Sequence, residues 1–196
     1  ETVYPESSAA YWQKEGATTA MRVTEALERI LGPPPVDSIT VAVAERSVLW
    51  VRSRSMAVLP PDADDPTTLT AGLALELAGL WFQPVLDTNL TEFTDRAVSL
   101  AYFTACLVLE DLGFDHPEES LDLYLRALGK SVFADAAGNH GQALETARLF
   151  LPLQWYVLRL RAGTSMVRVG LAEYALEHRY EPPTERHFMD FVVSVT

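Results

Sequence analysis

Glu76 is the one charged residue between Pro66 and Leu86. It sits in TAGLALELAGLWFQ, Thr70 to Gln83, which reads as a helix. Leu73, Leu77, Leu80 and Trp81 share one face, and Leu75, Gly79 and Phe82 another. A helix that is apolar all round is buried on all sides. A buried carboxylate must then be paired, hydrogen-bonded or protonated. Two roles follow for Glu76. One is an acid or base in a cleft, with its pKa raised by burial. The other is structural, a carboxylate bonded to a buried backbone or side-chain group.

The remaining reactive residue types form no pattern that points to catalysis. The histidines are His116, His140, His178 and His187, and no two stand three to five positions apart. A zinc site needs three or four N, S or O ligands converging at about 2.0–2.3 Å, and this spacing does not supply them. Cys106 lies in an apolar helical run without a glycine-rich turn or a nearby histidine, so it reads as a small core hydrophobe. No G-x-S-x-G elbow and no phosphate-binding glycine loop is present. Glu118-Glu119 suit the start of a helix, and Asp64-Asp65 suit a solvated loop. The residues therefore predict neither metal nor cofactor.

Composition narrows the partners. The chain has 196 residues, 48% of them apolar, which suits a single domain with a sizeable core. Its net charge of −12 opposes binding to nucleic acid or to anionic membrane surfaces. The apolar stretch around Glu76 is interrupted by threonines, glycines and a proline, so no membrane insertion is expected. One cysteine permits no intrachain disulfide. Asn89-Leu90-Thr91 fits a glycosylation acceptor, which matters only in a secreted eukaryotic protein. Composition points to no compartment. A chain opening on Glu rather than Met reads as a processed or excised piece.

The elements that must position Glu76 follow in order. Ser8 to Gly32 reads as a long helix stopped by Gly32 and Pro33-Pro34-Pro35. Ile39 to Ala44 reads as a buried strand, and Ser47 to Val51 and Ser55 to Leu59 as one or two more. Arg52 and Arg54 alternate there, which suggests one wet face. Pro60 to Pro66 reads as a loop that cannot start a core helix. The buried helix follows over about Thr68 to Gln83, ended with the help of Pro84. A second apolar helix spans Thr91 to Leu112, and an amphipathic one runs from Pro117 to Leu128 and stops at Gly129. Ala134 to Gly141 reads as a loop. Gln142 to Ala162 is helical, with a kink or break at Pro152. Thr164 caps a helix reaching His178. After the Pro182-Pro183 turn, Thr184 caps a last helix through about Val193. A few strands followed by a helical remainder predict an α+β domain, with its sheet at about 39–59 and its helical part at about 68–196.

The stretch LELAGLWFQ resembles the HELAHQWFG signature of thermolysin-like zinc metallopeptidases (gluzincins), closest to the aminopeptidase N family. In that family H-E-x-x-H places two histidines on the metal and a glutamate beside a metal-bound water. On this resemblance Glu76 stands at the general base, Leu75 at the first histidine and Gly79 at the second. Leu77, Ala78, Trp81 and Phe82 match. The third ligand, a glutamate nineteen positions after the second histidine, falls on Val98. The framework is kept and all three ligands are lost. The family's oxyanion tyrosine falls on Arg148, and its G-x-M-E-N motif leaves only Ser55-Met56-Ala57. The helix Tyr174 to Tyr180, with Thr184 and Phe188, is like the family's ending, so the resemblance covers roughly Ala17 to Phe191.

The resemblance implies a thermolysin-like fold without its chemistry: an inactive, peptidase-like module of a larger protein. Its role would be structural, or it would hold a protein or peptide partner, for instance an extended segment along a strand edge. The alternative is a metal-independent enzyme using Glu76 in a remnant cleft.

Overall fold

The computed structural model of the chain describes residues 15–43, 55–60, 63, 65–82, 95–132, 139–178 and 185–195. Within them the helix around Glu76 begins at Asp65-Pro66, which corrects the expectation that residues 60–66 cannot start a core helix. Asp65 Oδ1 accepts the backbone N–H groups of Thr67 at 2.9 Å and Thr68 at 3.0 Å. These are donors that every helix start leaves unsatisfied. Pro66 has no N–H to lose at the first turn. Burial pushes the Asp65 carboxyl up, but the bonds from Thr68 and Thr67 outweigh it and hold the pKa below its ordinary value. The same two residue types that break a strand thus open a helix.

The elements are α1 (Ala17–Leu31), β1 (Thr40–Val43), β2 (Met56–Leu59), α2 (Pro66–Phe82), α3 (Asp95–Asp111), α4 (Pro117–Val132), α5 (Asn139–Ala162), α6 (Thr164–Glu177) and α7 (Glu185–Val195). The protein is mostly helical with a small sheet, α+β at the coarse level. β1 and β2 pair in parallel, with Thr40 opposite Met56 and Val43 opposite Leu59. The expected helix start at Ser8, strand Ser47 to Val51, Arg52 and Arg54, the Pro84 helix end, Asn89 to Thr91, the Pro182-Pro183 turn and the Thr184 cap lie outside the described residues.

An expected stop at Gly129, a loop expected to reach Gly141 and a break at Pro152 are overridden. α4 passes through Gly129 to Val132, α5 has already begun at Asn139, and α5 continues through Pro152. A glycine or proline inside a helix costs about 1–3 kcal/mol, and a helix well anchored on its neighbours absorbs that. The Gly32 stop holds: Gly32 takes φ 80°, where an L side chain is strained, and its N–H bonds Glu28 O at 3.0 Å. At α6 the residue before the helix is Gly163, with no side-chain cap bond, so Thr164 is its first residue rather than its cap.

α2 lies at the centre, as its all-round apolar surface requires. It packs on α1, α3, α4 and β2, most extensively on α3. Apart from Pro66, Thr67 and Glu76, all its residues are buried. α3 carries the other half of the core, with Leu100, Tyr102, Phe103, Cys106 and Leu107 enclosed. The Cys106 expectation therefore holds: the thiol is a core group. α5 buries Leu151, Trp155 and Leu158, Trp155 stacks on Phe103 of α3, and the Ser99 hydroxyl donates to Gln154 Oε1 at 3.2 Å. None of the described helices is long and apolar enough to cross a membrane.

Candidate functional site: the Glu76 helix

Glu76 is half-buried on α2, and the hydroxyl of Tyr124 on α4 donates to its Oε1 at 3.0 Å. Tyr124 is fully buried. Its ring reaches Glu76 by lying across Gly72, one turn earlier on the same face of α2. A Cβ at position 72 would stand 2.6 Å from Tyr124 Cε2, 2.7 Å from Cδ2 and 2.8 Å from Leu59 Cδ2. Gly72 is thus the gap through which α4 reaches the carboxylate. In the sequence Tyr124 falls among the apolar residues of its amphipathic helix, with Leu121, Leu125 and Leu128, and nothing singles out Gly72. The usable signal was a polar tip on each of two otherwise apolar faces, since a buried tyrosine hydroxyl seeks a partner as much as a buried carboxylate does.

Removing the hydroxyl tests the bond. Tyr124→Phe is expected to lose about 1.5–3 kcal/mol, the range for a hydrogen bond to a charged group. Glu76→Gln keeps an acceptor and is expected to lose less than Tyr124→Phe. Urea unfolding at constant m-value measures both, and a Tyr124→Phe loss below about 0.5 kcal/mol would count against the bond.

The three ligand positions of the resembled motif lie on this helix and the next. Leu75 and Gly79 are buried one turn apart on α2. Val98, near the start of α3, is half-buried and packs against the same core as Leu75. None of the three carries a side-chain donor atom, so the residues present do not fit a zinc ion. Among the described residues no group of three or more His, Cys, Asp and Glu is placed to hold a metal. Two surface cavities are of ligand scale. One, of about 210 Å³, is lined mainly by apolar residues including Leu31, Trp81 and Ala175. The other, of about 430 Å³, lies between Glu118, Glu119, Asp122, Arg126 and Pro152. Glu76 lines neither.

The histidines gain a relation that their spacing did not reveal. His178, which ends α6, and His187, in α7, stack with centroids 4.0 Å apart and planes inclined by 17°. Tyr174 meets His178 at 4.8 Å and Phe191 at 6.0 Å. This stacking brings the end of α6 against the first turn of α7. His116 is exposed, and its carbonyl accepts Ser120 N–H at 3.3 Å. The side chain of His140 lies outside the described residues.

Two buried groups on α3, Cys106 and Tyr102, are held in their neutral forms. Burial, then the acidic neighbours Glu118 and Glu110, push the Cys106 thiol well above its usual value. Burial also raises Tyr102. A protonated, enclosed thiol is not a nucleophile. Arg148, at the family's oxyanion-tyrosine position, bonds Asp122 Oδ1 at 2.9 Å, and Arg126 bonds Oδ2 at 2.6 Å. Burial raises the Asp122 carboxyl, but these two cations more than offset it and leave the pKa below the ordinary carboxylate value.

No protein-family model, curated protein or solved structure matches this chain.

Proposed function

We propose that the chain is a non-catalytic, peptidase-like domain with a structural or protein-binding role, a module related to the gluzincin fold whose metal chemistry has been replaced by core. The observation that carries this reading is the donor set. The positions that would hold zinc are Leu75, Gly79 and Val98, which have no N, O or S to offer. The glutamate beside them is engaged by Tyr124 and lines neither cavity. A general base with no metal-bound water beside it has no evident nucleophile to activate. Leu75, buried there, contributes on the order of 1.5–3 kcal/mol, and the half-buried Val98 less. Unpaired polar groups in the same places would cost about 1–3 kcal/mol each.

The binding role has a narrower support. Among the described residues the sheet has two strands, and the binding role would use the addition of an extended peptide to such a sheet. The metal-independent enzyme reading requires an accessible Glu76, and this residue is half-buried and lines neither of these two cavities.

Restoring the ligands tests the relationship. Leu75→His, Gly79→His and Val98→Glu together should create a zinc site, because two imidazoles one helical turn apart suit one metal and a carboxylate completes three ligands. The triple variant is expected to bind zinc at least about tenfold more tightly than the double-histidine variant, which is about 1.4 kcal/mol. It should lose stability without zinc and regain it with zinc, since a ligand of the folded state alone stabilises it. Equal affinities in a zinc titration would show that residue 98 does not face the pair, and the peptidase-like reading would lose its basis.

A further inference from the structure

Helix α5 is apolar on two opposite sides, and the fold covers one of them. Its inward side carries Leu151, Trp155 and Leu158, all buried. Its outward side carries Leu149, Phe150, Leu153, Tyr156, Val157 and Leu160, each between 47% and 73% exposed. At about 100° per residue these six cluster on an arc opposite the buried stripe. The charged residues of this segment stay off that arc. Arg148 bonds Asp122, Arg159 bonds Glu110 at 2.9 Å, and Arg161 lies beside the arc. The outward face is therefore a continuous apolar stripe without a charge.

We propose that this face is a two-fold interface, on which a second copy of the same chain docks with α5 antiparallel to α5. Three observations select a second copy. Leu149, Leu153, Tyr156 and Leu160 are spaced 4, 3 and 4, the alternation by which one helix seats against another. That spacing reads the same in both directions, so a two-fold axis at its centre sets Leu149 against Leu160 of the copy and Leu153 against Tyr156. The area also fits. Aromatic side chains bury roughly 150–250 Å² each when enclosed and aliphatic ones less, so the six, about half to three-quarters exposed, present on the order of 500–700 Å² per copy. The two copies together bury about 1,000–1,400 Å², within the range of a modest specific interface and above a crystal-type contact. Monomeric proteins seldom leave a patch of this size bare. The assignment does not depend on the peptidase-like reading.

The experiment uses the 196-residue chain in solution. Sedimentation velocity from about 1 to 300 μM, the range in which a modest interface dissociates, is expected to show a concentration-dependent dimer. Leu153→Glu places a charge twice in the interface and is expected to weaken the dimer at least about 100-fold, with unchanged helical circular dichroism. Met21→Glu, an exposed change on α1, should leave it intact.

Cross-linking sets the register. Cys106 is enclosed and silent. Positions 149 and 160 of one helix are about 16 Å apart, too far for a disulfide within one chain. Mixing Leu149→Cys with Leu160→Cys chains under mild oxidation should give covalent dimers, and neither variant alone should. A monomer at the highest concentration, whether its face is bare or covered by another segment, overturns the proposal. So does a dimer indifferent to Leu153→Glu, or cross-linking within one variant and not in the mixture.

Discussion

Gly72→Val is expected to cost the domain on the order of 3–5 kcal/mol, among the largest effects of any single change. The added Cβ meets the Tyr124 ring at 2.6 Å and Leu59 at 2.8 Å. Both neighbours are fully buried, so neither has solvent to move into. Overpacking of this kind costs about 1–3 kcal/mol or somewhat more. Displacing the ring also breaks the Tyr124–Glu76 bond, another ~1–3 kcal/mol. Helix propensity works the other way by less than 1 kcal/mol, since glycine is a poor helix former, and does not change the sign. Gly72→Ala should cost less, because a single methyl asks for a smaller shift. The clash predicts coupling: with Tyr124→Leu in the background, Gly72→Ala should cost clearly less, since only the Leu59 contact at 2.8 Å remains. Urea unfolding of the four proteins in this cycle measures the interaction. Additive losses would mean that Tyr124 does not cross α2 at Gly72.

The second large effect belongs to Trp155. Its indole is buried and stacks on Phe103, with centroids 5.9 Å apart and planes inclined by 26°. The Arg159 guanidinium stands 5.5 Å from its ring centroid while it also bonds Glu110. Trp155→Ala opens a cavity between α3 and α5 and is expected to lose about 3–5 kcal/mol. Trp155→Phe should lose far less. It keeps the aromatic contact, and among the described residues the indole N–H has no acceptor, so its removal gives up no hydrogen bond. Denaturant midpoints of the two variants decide the matter. A loss below about 1 kcal/mol for Trp155→Ala would show that α5 is seated by other contacts. Because Trp155 holds α5 in place, its loss should also weaken self-association, linking the inner face of the helix to its outer one.

Much of the architecture is legible residue by residue. The all-round apolar character of residues 68–82 requires a central helix, and α2 is central. The β-branched run at residues 39–44 requires a short strand, and β1 spans Thr40–Val43. The stops were less legible. Gly129 and Pro152 look like terminators, yet α4 and α5 run through them. A local penalty of about 1–3 kcal/mol is visible in the sequence. The packing that outweighs it is not, because it comes from residues on other helices. Asp65-Pro66 erred in the opposite direction, since the same residues serve a loop or a helix start and only the direction of the following chain distinguishes them.

By itself the sequence determined that the stretches around Glu76 and Cys106 are helices with core-facing surfaces, that Cys106 is enclosed, that the class is α+β, and that Leu75, Gly79 and Val98 offer no metal ligand. Periodicity and side-chain chemistry decide such matters, and both are local. Only the tertiary structure decided that Tyr124 reaches Glu76 across Gly72, that His178 stacks on His187, and that α5 is covered on one of its two apolar sides. Each of these depends on where two helices cross, a relation between residues such as Glu76 and Tyr124 that lie 48 positions apart. A sequence pattern states that a face is apolar, and the arrangement of the neighbouring elements states whether anything covers it.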